Sequence, residues 1–73
     1  MENAVKLLDV VALLEDFPEY ESRRGHVGTV VEDLAPGVYL VEFADRQGRT
    51  YAMVDARTEQ LMRLDFNVPK QAA

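Results

Sequence analysis

Apolar and polar positions alternate most clearly in the middle of the chain. Val27-Gly28-Thr29-Val30-Val31-Glu32 is rich in β-branched residues, which pack well on a pleated surface. Ala35-Pro36-Gly37 then reads as a turn, proline presetting φ and glycine admitting φ > 0. Val38-Tyr39-Leu40-Val41-Glu42-Phe43 follows. A period of two puts Tyr39, Val41 and Phe43 on one face and Val38, Leu40 and Glu42 on the other. Asp45-Arg46-Gln47-Gly48 is a second turn, and Arg49 to Asp55 a third strand, with Thr50, Ala52 and Val54 on one face and Tyr51 and Met53 on the other. Three strands joined by short loops predict an antiparallel meander.

The flanks are less decided. Leu7 to Glu15 fits a buried strand, but Ala4, Leu7, Leu8, Val11 and Leu14 also fit a helical stripe, so pattern leaves both open, residues 3–8 included. Phe17-Pro18 ends whatever precedes it, because the residue before proline avoids the α region. Gln60 to Leu64 reads as a short last strand. The expected organisation is an N-terminal extension at 1–8, one folded domain at 9–65 and a flexible tail at 66–73.

Composition narrows this further. Seventy-three residues make one domain, and 48% hydrophobic content argues against disorder. The chain has no cysteine, which excludes disulfides, cysteine-ligated zinc and thiol nucleophiles. A small domain without such staples often gains stability by association. The longest unbroken apolar run, Val10 to Leu14, is far short of the ~20 residues a spanning helix needs. With no basic start and no small-residue cleavage site, the expectation is a cytoplasmic protein without membrane association. The net charge of −5 lies in the first 21 residues, where six acids face Lys6 alone; the remainder holds seven of each sign. Nucleic-acid binders normally carry a basic excess, so nucleic acid is a disfavoured partner.

Taken together, Asp9-Val10-Val11-Ala12-Leu13, Arg24-Gly25-His26-Val27-Gly28-Thr29-Val30-Val31, Tyr39-Leu40-Val41-Glu42-Phe43, Gly48-Arg49-Thr50-Tyr51-Ala52 and Gln60-Leu61 form an ordered pattern. In it the chain resembles an uncharacterised bacterial family of short proteins of unknown function. The resemblance spans roughly residues 7 to 64. It implies an all-β fold, a small five-stranded SH3-like barrel, with Asp9 to Glu15 as the first strand, and it implies no activity. At the level of fold, the glycine-turn-strand is also similar to KOW modules, and the strand pattern to the barrel of nitrile hydratase β subunits. Fold alone does not assign function.

A small barrel needs one inward face per strand. Tyr39, Val41 and Phe43 supply it with Val11, Leu13, Val30, Ala52, Val54 and Leu61, leaving Val10, Leu14, Val38, Leu40, Tyr51 and Met53 over. Apolar residues gathered on neighbouring strands mark interfaces, so Val38, Leu40, Tyr51 and Met53 are the candidate interface, taken to form a continuous strip. Arg23, Arg24 and His26 are candidate anion or nucleic-acid contacts before a Gly-x-x-Gly turn whose backbone N–H groups could hold an anion; a solvated turn is the simpler account. Asp16, Glu19 and Glu21 around Phe17-Pro18 read as a solvated acidic loop. His26, the sole histidine, has no cluster of metal ligands or nucleophile around it in sequence. No catalytic, cofactor or metal residues are expected, and the chain is not expected to be an enzyme. The functional expectation is a protein-interaction module, a homodimer or the accessory, antitoxin-like half of a two-protein system. The alternative is a KOW-like nucleic-acid binder using Arg23, Arg24, Arg46 and Arg49.

Overall fold

The computed structural model describes residues 5–65. Its elements are β1 (Val10–Leu13), a 3-10 turn at Pro18–Tyr20, β2 (Val27–Ala35), β3 (Val38–Ala44), β4 (Thr50–Arg57), a second 3-10 turn at Thr58–Gln60 and β5 (Leu61–Arg63). The strands form one antiparallel sheet in the order β4-β3-β2-β1-β5. The predicted three-strand meander, β2-β3-β4, makes one side of it, with β4 at the edge. Both of its turns are where the pattern put them, although β2 runs on past Glu32 to Ala35 and β4 past Asp55 to Arg57. The β2–β3 connection tightens to Pro36-Gly37, with Gly37 at φ 76. At the β3–β4 turn the Asp45 carboxylate accepts the N–H groups of Gln47 and Arg49, each at 2.9 Å. Such a short side-chain acceptor mimics a backbone turn.

Residues 5–13 settle the ambiguity left by the pattern. No helix forms there: residues 5–9 form no regular element, with a turn at Leu7-Leu8, and the strand is shorter than Asp9 to Glu15. The turn is held by Asp9, whose carboxylate accepts the Lys6 N–H at 2.8 Å while its own N–H donates to the Lys6 carbonyl at 3.0 Å. Leu8 takes the left-handed conformation, φ 72, and donates to the Val30 carbonyl at 2.7 Å. Residues 5–8 are thus packed on β2, and Val5 is buried in the core. The expected tail at 66–73 lies outside the described residues.

One face of the sheet makes the core. Val11 and Leu13 on β1, Val30 on β2, Val41 and Phe43 on β3, Val54 and Ala56 on β4, and Leu61 on β5 are buried, with Phe17, Tyr39 and Ala52 half-covered at the margin. Val11, Val30, Val41, Phe43 and Val54 have no exposed surface, and burying each such side chain contributes about 1.5–3 kcal/mol. The predicted inward set therefore holds in register; Ala56 and Val5 were absent from it. Register shifts mark bulges in β2 around Val31 and Leu34 and between β3 and β4 beyond Phe43, and bulges bend and twist a sheet. Among the described residues, no helix is long and apolar enough to cross a membrane.

Candidate functional site

Opposite the core, β2, β3 and β4 present an outer face. Strand pairing sets its pattern. Leu40 stands between Glu32 of β2 and Asp55 of β4, Glu42 between Thr29 and Met53, and Val38 between Ala35 and Arg57. Val38 and Leu40 are half-buried and Met53 is 44% exposed. Three of the four predicted interface residues therefore share this face. They do not make the continuous apolar strip expected of them, because Glu32, Glu42 and Asp55 alternate with them. Tyr51 is drawn elsewhere. Its hydroxyl lies 3.2 Å from His26 Nδ1 and its ring packs against Phe43 with centroids 6.3 Å apart.

Sequence periodicity placed Glu42 on this face but not Glu32 and Asp55 beside Leu40. The Asp45–Gly48 turn could have signalled one of them, since a hairpin turn sets register and this one brings Asp55 opposite Leu40. Glu32 was hidden by the bulge at Val31, which shifts the β2–β3 pairing by one residue.

The basic turn is built from backbone hydrogen bonds. Arg23 N–H donates to His26 Nδ1 at 3.1 Å and Arg24 N–H to the Asp16 carboxylate at 2.9 Å. Gly25 N–H donates to the Leu13 carbonyl at 2.7 Å and His26 N–H to the Arg23 carbonyl at 2.9 Å. The N–H groups of residues 23–26 are thereby all engaged within the chain. The glycines do separate jobs: Gly25 has φ 91, whereas a Cβ on Gly28 would lie 2.7 Å from the Glu42 carbonyl and 2.8 Å from the Phe43 ring.

In an antiparallel sheet the β1–β2 loop and the β3–β4 turn fall at one end, and the His26–Tyr51 contact joins them. Arg23, Arg24, Arg46 and Arg49 are therefore gathered at the same end. So are Glu15, Asp16, Glu19, Glu21 and Asp45, and Arg49 pairs with Asp45 at 3.5 Å. Carboxylates outnumber guanidinium groups at this end. The loop between Phe17 and Ser22 is closed by a bridge between those two residues and by the buried Ser22 hydroxyl, which donates to the Tyr20 carbonyl at 3.2 Å. Asp16 is thus a structural acceptor, while Glu19 and Glu21 are exposed.

Among the described residues no three His, Asp or Glu side chains are grouped to hold a metal. The Glu59 carboxyl has a lowered pKa. A hydrogen bond from the Arg57 guanidinium, at 2.9 Å, and one from its own backbone N–H hold it below its ordinary 4.5. At the opposite end of the sheet a shallow groove of about 450 Å³ runs between Val5, Lys6 and Leu7 and the β2–β3 hairpin residues Leu34, Pro36 and Tyr39.

A strand-rich domain with one closed apolar face and one mixed outer face defines a small all-β module. The family described as Domain of unknown function (DUF4926) matches residues 7–63, and the chain belongs to that family. No curated protein and no solved structure matches it.

Proposed function

We propose that this protein is a small non-catalytic interaction module, an SH3-like barrel that binds a protein partner through the outer face of β3 and β4. The observation that carries the reading is the contrast between its two faces. Val11, Val30, Val41, Phe43 and Val54 are fully buried on the inward face, whereas Val38, Leu40 and Met53 stand half-open on adjoining strands of the other face. Apolar side chains grouped in this way mark contact surfaces.

Barrel closure is supported by chain reach. In a flat sheet β4 and β5 would stand four strand spacings apart, about 19 Å. Arg57, paired with Val38, and Leu61, paired with Leu13, are separated only by the 3-10 turn at Thr58–Gln60. That stretch spans at most ~14 Å even when extended. The sheet therefore has to curl, bringing its two edge strands toward each other around the buried residues. The arginines at the β1–β2 end offer no comparable support for nucleic-acid binding, being outnumbered by carboxylates.

The test is Leu40→Glu combined with Met53→Glu, with partner binding followed by sedimentation velocity and co-purification from the native host. The expected variant keeps the wild-type circular dichroism spectrum and loses association. A wild-type chain that stays monomeric at high micromolar concentration and recruits nothing defeats the reading.

A further inference from the structure

The charges around Leu40 specify what kind of partner this face accepts. Glu32 and Asp55 flank Leu40 in register on the neighbouring strands, so their backbone positions lie about 10 Å apart across it. Neither has an ion pair or a side-chain hydrogen bond among the described residues; Glu42 bonds only to the Thr50 hydroxyl. The face thus presents an apolar ridge with carboxylates on both sides that pair with no cation among the described residues. Its extent over three strands is small, about 15 Å by 20 Å, or roughly 300 Å². A stable interface between folded partners takes about 800 Å² from each.

Resting on the interaction reading above, we propose that the occupant is a single strand or helix of a different protein, with an apolar side chain seated on Leu40 and Lys or Arg on both sides to meet Glu32 and Asp55. A second copy of this chain fits poorly for the same reasons. Each copy carries −5, and face-to-face pairing would set Glu32, Glu42 and Asp55 of one protomer against those of its partner, where like charges oppose binding. The available area also suits one segment better than a second folded domain.

The test places a photo-cross-linking phenylalanine derivative at Leu40 in the full chain, expressed in the native host, with Met53 as a second site should the first disturb folding. The cross-linked segment is identified by mass spectrometry. A synthetic peptide of that segment is then titrated against the wild type and against Glu32→Gln with Asp55→Asn. The expected segment has basic residues on both sides of an apolar one. Its affinity drops roughly tenfold in the double variant, the sum of two partly exposed ion pairs, and it weakens as salt is raised. A segment without basic residues, an affinity indifferent to the double variant, or cross-links only to a second copy overturns the charge assignment while leaving the face an interface. No cross-link at either site overturns the interaction reading as well.

Discussion

Gly28 and Phe43 show how far single residues could be read. The spacing Gly25-x-x-Gly28 suggested an anion-binding turn, but the two glycines answer different demands, a left-handed backbone at Gly25 and a close approach at Gly28. Sequence gives both the same letter, and only the packing of Phe43 and the β3 backbone against Gly28 separates them. Gly28→Ala drives a methyl group into the Glu42 carbonyl and the Phe43 ring, neither of which has room to retreat. Overpacking of this kind costs about 1–3 kcal/mol, and the urea midpoint should fall accordingly. Phe43, by contrast, was legible from period-two alternation alone. Phe43→Ala should cost about 3–5 kcal/mol, close to the whole stability of a domain with ~5 kcal/mol to lose. A variant melting like the wild type would contradict its complete burial.

At the scale of elements, strand existence was legible and strand limits were not. β2 and β4 run on past Glu32 and Asp55 because pairing with β3 carries Asp33, Ala35, Ala56 and Arg57 along. β1 begins at Val10 and not earlier because Asp9 closes a turn with Lys6 just before it. The β1–β2 loop was the least legible, since its order comes from long-range backbone bonds to Asp16 and Leu13. The arginine side chains take no part in these bonds, so Arg23→Ala with Arg24→Ala should change stability by no more than ~0.5 kcal/mol. Asp16→Ala removes the acceptor of the Arg24 N–H and should cost about 0.5–1.5 kcal/mol. Chemical denaturation of the two variants side by side separates loop order from loop charge. The second 3-10 turn supplies a pH signature. Glu59 is held below its ordinary 4.5, first by the Arg57 hydrogen bond. A depressed carboxylate pKa stabilises the fold above the ordinary value, and that contribution is lost as pH falls from 4.5 through the folded-state value. In an NMR titration the Glu59 carboxyl should therefore ionise below 4.5, and Arg57→Gln should move its midpoint upward.

For the whole molecule, the order β4-β3-β2-β1-β5 and the three-residue link between the outermost strands make a sharper demand than any single contact. Composition could not supply this, because curl follows from which strands pair and how short the last connection is. The consequence can be read from amide hydrogen exchange. An open sheet leaves alternate N–H groups along the outer edge of β4 without partners, and these exchange at nearly the rate of free chain. In a closed barrel β5 comes up against that edge across Thr58–Gln60 and covers the β4 amides that point away from β3. Protection of those amides comparable to that of Val41 on the interior strand β3 is the expected result. Fast exchange at alternate β4 amides beside a protected β3 would mean that the sheet curls without closing. The β4 edge would then stand open as a second surface for strand pairing, separate from the outer face around Leu40.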